Sequence, residues 1–461
     1  LVRIDLMGRL GVWETLVLAV GAVLVLSKAT DPALLLDSDT AVLLDVVRER
    51  GRPLSWFTGD WPLGNHFYRP VSTMLFEMDS ALYGDQAWGY GLTNALLAAA
   101  SVGALFWFVR EWTGLPWCAG LSALLFGAWH FVQPGLSAFG AMAAVGTLVP
   151  LIGIARWGLA AAPRVALAIV CAGFVSTQVD PVVNLGWRTL GWLPGRTASS
   201  MTLFVLISLA AYARYLRLGP RKASPPSATD VPLTKSAPLA VRRPGRRWPW
   251  LLASLTSLAL ALGCHEQAAM APFLLVCLQV VSFRRHGPVS IAPLLAFGAV
   301  LAGYAALRTA FVPIEASEYQ LQQFRQGTGA LLALSDYLLP AGAWLFRLTV
   351  VGSVGWWAVL VPEAWRLVAV IVGNVAMVWV AAKSLRSDWL IGAWVMSVLA
   401  FLPMAWLKTF EHYHYLPGAL RAMLAVLLAA EALRLVANAV APPVLQAPPR
   451  PSPAPGSLPR P

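Results

Sequence analysis

GLTNALLAAASVGALFWFV, residues Gly91–Val109, decides the fold. It carries no charged side chain, and a helix of about 20 such residues spans about 30 Å of hydrocarbon. Similar runs recur on both sides of it, at 12–26, 116–131, 139–159, 165–178, 201–215, 248–263, 268–283, 291–311, 367–382, 389–406 and 419–436. Together they predict a bundle of about twelve transmembrane helices. The chain is 58% hydrophobic and 12% charged, and its mean hydropathy is +0.65. Soluble domains average about 25% charged residues, so the sequence reads as an all-α polytopic membrane protein. A β-barrel would show short alternating segments instead, and none stands out.

The net charge of +12 would suit a nucleic-acid binder. Here the basic residues cluster in a few loops, which points to membrane topology instead. The loop holding Arg214, Arg217, Arg221, Lys222, Lys235, Arg242, Arg243, Arg246 and Arg247 is expected in the cytoplasm. Counting helices outward puts both termini on that side and the stretch 37–97 on the other, as in a multi-pass plasma-membrane protein. The N-terminal run lacks a small-x-small cleavage site and reads as an anchor helix. Cys118, Cys171, Cys264 and Cys277 lie singly in or beside apolar runs and read as small buried hydrophobes.

Composition divides the chain into a first bundle (1–217) with a large outer loop (30–90), a basic linker rich in Pro and Ser (218–247), a second bundle (248–440) and a Pro-rich tail (441–461). Linker and tail are expected to be disordered. Residues 338–360 are apolar enough to cross but hold Arg347, and a mid-membrane Arg costs at least about 2.5 kcal/mol. They are read as an outer interfacial segment.

Four polar clusters then fall on one membrane face. Asp37 and Asp39 suit a general base with a metal ligand or orienting group, or simply a solvated loop start or helix N-cap. Arg69 stands behind His66 and Tyr68, where it could grip a phosphate or snorkel to the headgroups. His265 and Glu266 lie between two spans; HExxH is excluded because position 269 is Ala. Glu411, His412, Tyr413, His414 and Tyr415 form a turn that would suit a divalent metal, a phosphate or a sugar.

YRPVSTMLFEMDSALYGDQAWGYGLTNALL (68–97) resembles a block of the GT-C superfamily of membrane glycosyltransferases, in the protein O-mannosyltransferase-like branch. LLFGAWHFVQ (124–133), HEQAAMAPFLL (265–275) and EHYHYLP (411–417) resemble three further motifs of that branch, in order. The resemblance implies a GT-C-like bundle and a polyprenyl-phosphate sugar donor. It also implies transfer to an acceptor hydroxyl on the extracytoplasmic face, with no metal assigned. By the same resemblance Asp37 or Asp39 acts as base, and Arg69, His265 and His412 lie near the donor phosphate. His66, Tyr68, Asn94, Glu266, Glu411, Tyr413, His414 and Tyr415 line the pocket. The chain departs from the pattern where Ser38 splits the acidic pair and where His265 and His412 replace Lys and Arg. It carries no tetratricopeptide array. Two other readings stay open: an inactive lipid-binding scaffold of the same fold, and a lipid or solute transporter.

Overall fold

The computed structural model describes residues 11–28, 37–50, 52–132, 183–219, 247–287, 290–338, 384, 386–408 and 410–440. Its helices are α1 (Val12–Lys28), α2 (Ser38–Arg50), α3 (Pro70–Tyr83), α4 (Ala87–Thr113), α5 (Pro116–Ala128), α6 (Leu185–Leu190), α7 (Arg196–Arg217), α8 (Trp248–Leu262) and α9 (Ala271–His286). They continue with α10 (Ala292–Phe311), α11 (Glu318–Gln323), α12 (Gly329–Leu338), α13 (Ser387–Ala405) and α14 (Tyr415–Val440). Short 3-10 turns occupy Pro53–Thr58, Leu193–Gly195, Glu266–Met270 and Glu411–His414.

Among the described residues six helices are long and apolar enough to cross a membrane, and three shorter ones are apolar too. Every expected span on described residues coincides with one of these. The spans expected at 139–159, 165–178 and 367–382 lie outside the described residues. So do Cys171, most of the linker, residues 339–360 and the tail. The protein is a helical, multi-pass membrane protein.

The expected outer loop is itself built from helices. α3 starts at Pro70, whose missing N–H costs nothing at a first turn. It stops at Gly84, at φ 55°. α2, α3 and the Pro53–Thr58 turn close over their own core of Leu43, Leu44, Val47, Trp56, Trp61 and Phe76. That layer docks on the bundle where the Val71 N–H donates to the Gly263 carbonyl at 2.9 Å and Ser72 Oγ donates to the Cys264 carbonyl at 3.1 Å. A Cβ on Gly263 would meet the Val71 side chain, so the approach requires glycine.

A buried ion pair holds the same layer from below. Arg196 Nη1 lies 2.6 Å from Asp79 Oδ2, both side chains fully buried. Thr93 Oγ1 donates to Asp79, Arg196 Nε donates to Asn94 Oδ1, and Asn94 Nδ2 donates to the Leu190 carbonyl. Buried charge is tolerated only when paired and hydrogen-bonded in this way.

Helix directions sort the charges into two faces. At one face, the basic face, each acid holds arginines: Glu14 with Arg110, Glu111 with Arg214 and Arg217, Asp388 with Arg284 and Arg285, Glu431 with Arg386 and Arg434. The other face carries α2, α3 and the turns at 266–270 and 411–414.

Candidate active site

Asp37 caps α2. Its Oδ1 accepts the Thr40 N–H at 2.9 Å, its Oδ2 accepts the Thr40 hydroxyl, and Trp192 Nε1 donates to Oδ1 at 3.3 Å. The N-cap alternative thus describes Asp37. Asp39, one helical step on, is exposed and makes no described hydrogen bond. The protein mass around its carboxyl and then the charge of Asp37 raise its pKa above the ordinary value, while Arg188 pulls it back. Of the acidic pair, Asp39 is the carboxylate open to a ligand.

Trp192 connects this acid pair to the far end of the chain. Its ring lies 5.3 Å from His412, His412 lies 4.4 Å from Tyr413, and Tyr413 meets His265 edge-on at 5.8 Å. His265 then leads to Glu266 and Arg69. Residues from the layer of α2 and α3, the middle and the end of the chain therefore share one face.

Arg69 differs from the free clamp expected of it. Its Nε and Nη2 donate to Glu266 Oε2 at 2.9 and 2.7 Å, and its guanidinium packs on Phe67 and Trp61. The Tyr68 N–H takes the other Glu266 oxygen at 3.2 Å. The pair ties α3 to the turn before α9.

His265 is buried, and burial, Arg69 and His412, in that order, hold its pKa well below the ordinary imidazole value. It is neutral at neutral pH. Its Nδ1 accepts the Gln267 N–H at 3.2 Å, so the proton sits on Nε2, which has no partner among the described residues. The result is a neutral donor, where a lysine would have brought a charge. Gln267 Nε2 donates to the carbonyls of Ala400 and Tyr413, fixing the 411–414 turn against α13.

That turn is a 3-10 helix, whose successive side chains diverge by about 120°. Glu411 is partly buried, and its Oε2 is without a described partner. His412 faces Trp192 and Phe410, while His414 turns inward to Phe401 and Tyr337. The two histidines therefore do not converge as a metal site needs. Among the described residues no three His, Cys, Asp or Glu side chains do.

Other expected pocket residues serve elsewhere. Asn94 belongs to the buried ladder under Arg196. The Tyr415 hydroxyl pairs with His130 Nε2 at 2.9 Å. Tyr68 is buried and donates its hydroxyl to the Phe57 carbonyl. His66, at φ 60°, bonds through Nδ1 to the Glu315 carbonyl and so anchors residues 312–323 over the face. Ser317 Oγ donates to the Asn65 carbonyl, and the Lys408 N–H donates to the Gln323 carbonyl, which extends the same plate.

Arg188 was not singled out by the sequence. It sits on α6 with its guanidinium 5.3 Å from both Trp192 and Phe410, and it has no salt-bridge partner among the described residues. It acts electrostatically on Asp39, Glu411, His412 and Tyr319. The segment NLGWRTLGW, residues 184–192, holds a lone cation between tryptophans, and that was the available signal.

No family model matches the sequence, and no curated protein matches it. Among solved structures the chain is similar to ArnT from Cupriavidus metallidurans, whose crystal structure is bound to undecaprenyl phosphate. Identity is 14% and the TM-score 0.41, over 91% of this chain and 60% of ArnT. The chain thus spans about 60% of the length of ArnT. At that distance the likeness assigns neither a residue nor a reaction.

Proposed function

We propose that the protein is a GT-C-like glycosyltransferase that moves a sugar from a polyprenyl phosphate to an acceptor hydroxyl at the face carrying Asp39. One observation carries the reading. An accessible carboxylate, Asp39, and a guanidinium without a salt-bridge partner among the described residues, Arg188, share the neighbourhood of Glu411 and His412, on the face where the resemblance expects transfer.

In this mechanism Asp39 takes the proton of the acceptor hydroxyl. The acceptor oxygen attacks the anomeric carbon as the bond from that carbon to the phosphate oxygen breaks. The polyprenyl phosphate leaves with the electron pair. Arg188 takes the clamp role first assigned to Arg69, because its donors are spent on no carboxylate among the described residues and guanidinium matches phosphate geometry. His265 Nε2–H offers a neutral second donor. A placed general base contributes about 10²–10⁴-fold, and charge stabilisation of the leaving group about 3–4 kcal/mol. The test uses a panel of donors that differ in their sugar.

The test is transfer from radiolabelled polyprenyl-phosphate sugars in membranes, comparing wild type with Asp39→Asn and Arg188→Ala. Asp39→Asn is expected to lower the rate about 10²-fold or more. Undiminished transfer by both variants would overturn the reading, as would absence of transfer by the wild type from every donor of the panel.

A further inference from the structure

A polar cavity opens at the basic face, away from Asp39 and independent of the glycosyltransferase reading. It measures about 260 Å³ and lies between the C-terminal ends of α4, α7 and α9 and the first turn of α13. Glu111, Trp112, Arg217, Ser282, Arg285 and Trp389 line it.

Its charges do not cancel. Glu111 is shared between Arg214 at 2.7 Å and Arg217 at 2.9 Å. Asp388 is shared between Arg284 at 3.2 Å and Arg285 at 3.7 Å. Each carboxylate thus faces two guanidiniums, which leaves a surplus of two positive charges at the mouth. Three helix C-termini and one N-terminus offset about one charge of that surplus. The remainder calls for an anion.

The donors are placed for one. Trp112 Nε1 is buried and has no hydrogen-bond partner among the described residues. Ser282 adds a hydroxyl to the wall. Arg285 is held flat over the Trp389 ring, 3.7 Å from its centre, which fixes the guanidinium without using up its N–H groups. Trp112 and Trp389 line the cavity, and tryptophans gather at the depth of lipid headgroups. A basic pocket between transmembrane helices at that depth suits a lipid phosphate.

We infer that this cavity is a binding site for the phosphate headgroup of an anionic phospholipid. The bound lipid would sit opposite the face carrying Asp39 and bridge α4, α7, α9 and α13.

The test uses the full-length protein in mild detergent, offered equimolar phosphatidylglycerol and phosphatidylcholine and read by native mass spectrometry. Wild type is expected to retain phosphatidylglycerol in preference to phosphatidylcholine. Arg217→Ala with Arg285→Ala is expected to weaken that retention about thirtyfold, at about a factor of five per arginine. The matching double Lys variant should keep most of it. Arg110→Ala, on the same face but bonded to Glu14, should change nothing. Should the double Ala variant not fold, Trp112→Phe decides, since it keeps the ring and removes the N–H. Equal retention of the two lipids, or undiminished retention by the double Ala variant or by Trp112→Phe, would overturn the site. Displacement of the lipid by inorganic phosphate would overturn the lipid assignment in favour of a free-phosphate site.

Discussion

Trp192 donates its indole N–H to Asp37 while its ring lies against His412. One side chain from the middle of the chain thereby holds the acidic pair beside the 411–414 turn. It also removes Asp37 from the roster of free bases and leaves Asp39 open.

That division sets a pH dependence. Asp39 must be ionised to accept a proton, and its pKa is raised by its surroundings and by Asp37, and lowered by Arg188. The acid limb of the rate profile is therefore expected above the ordinary carboxylate range, with rate rising as pH rises. Arg188→Gln removes the lowering charge and should move that limb upward. Asp37→Asn removes a raising charge and should move it downward. Initial rates of sugar transfer against pH read both shifts; limbs that stay together would count against Asp39 as base.

The Arg69–Glu266 pair predicts coupling instead of catalysis. Arg69→Met and Glu266→Gln should each lower thermal stability in detergent. Combined, they should lower it by less than the sum, with an interaction of about 0.5–3 kcal/mol. Strict additivity would mean that the pair does not tie α3 to the turn before α9.

Asp79→Asn leaves Arg196 fully buried without its counter-charge. Breaking such a pair costs about 3–5 kcal/mol. The variant should melt far below wild type, and a double change of both residues to apolar ones of similar volume should recover much of the loss. Scanning fluorimetry on the purified variants measures it.

Gly195→Ala tests how Arg188 is positioned. A Cβ at residue 195 would collide with the Arg188 carbonyl oxygen, which is backbone and cannot swing aside. α6 must move, so transfer should fall while the helical content read by circular dichroism stays unchanged. Full transfer by this variant would show that the placement of α6 does not matter.

The spans were legible because an apolar run of membrane length has one stable conformation in hydrocarbon. Residues 37–90 were legible as a stretch apart from the spans but not as helices, since their apolar residues serve a small core of their own. Asp37 and Asp39 look equivalent in sequence. Only the fold brings Trp192, at position 192, to one of them. Arg69 reads as a free cation because Glu266, its partner, lies at position 266. Arg188 left only a faint signal, a lone cation between tryptophans in residues 184–192; that it has no salt-bridge partner among the described residues is visible only in the fold.

The docking of Val71 and Ser72 on Gly263 and Cys264, with Trp192 against His412, has a consequence for biogenesis. The pieces of the site leave the ribosome in the order 37–69, 188–192, 265–266 and 411–412. Residues 1–217 cannot complete that face by themselves, because Glu266, which pairs with Arg69, and His412, which lies against Trp192, come later in the chain. The face carrying Asp39 is therefore complete only once α14 has been made.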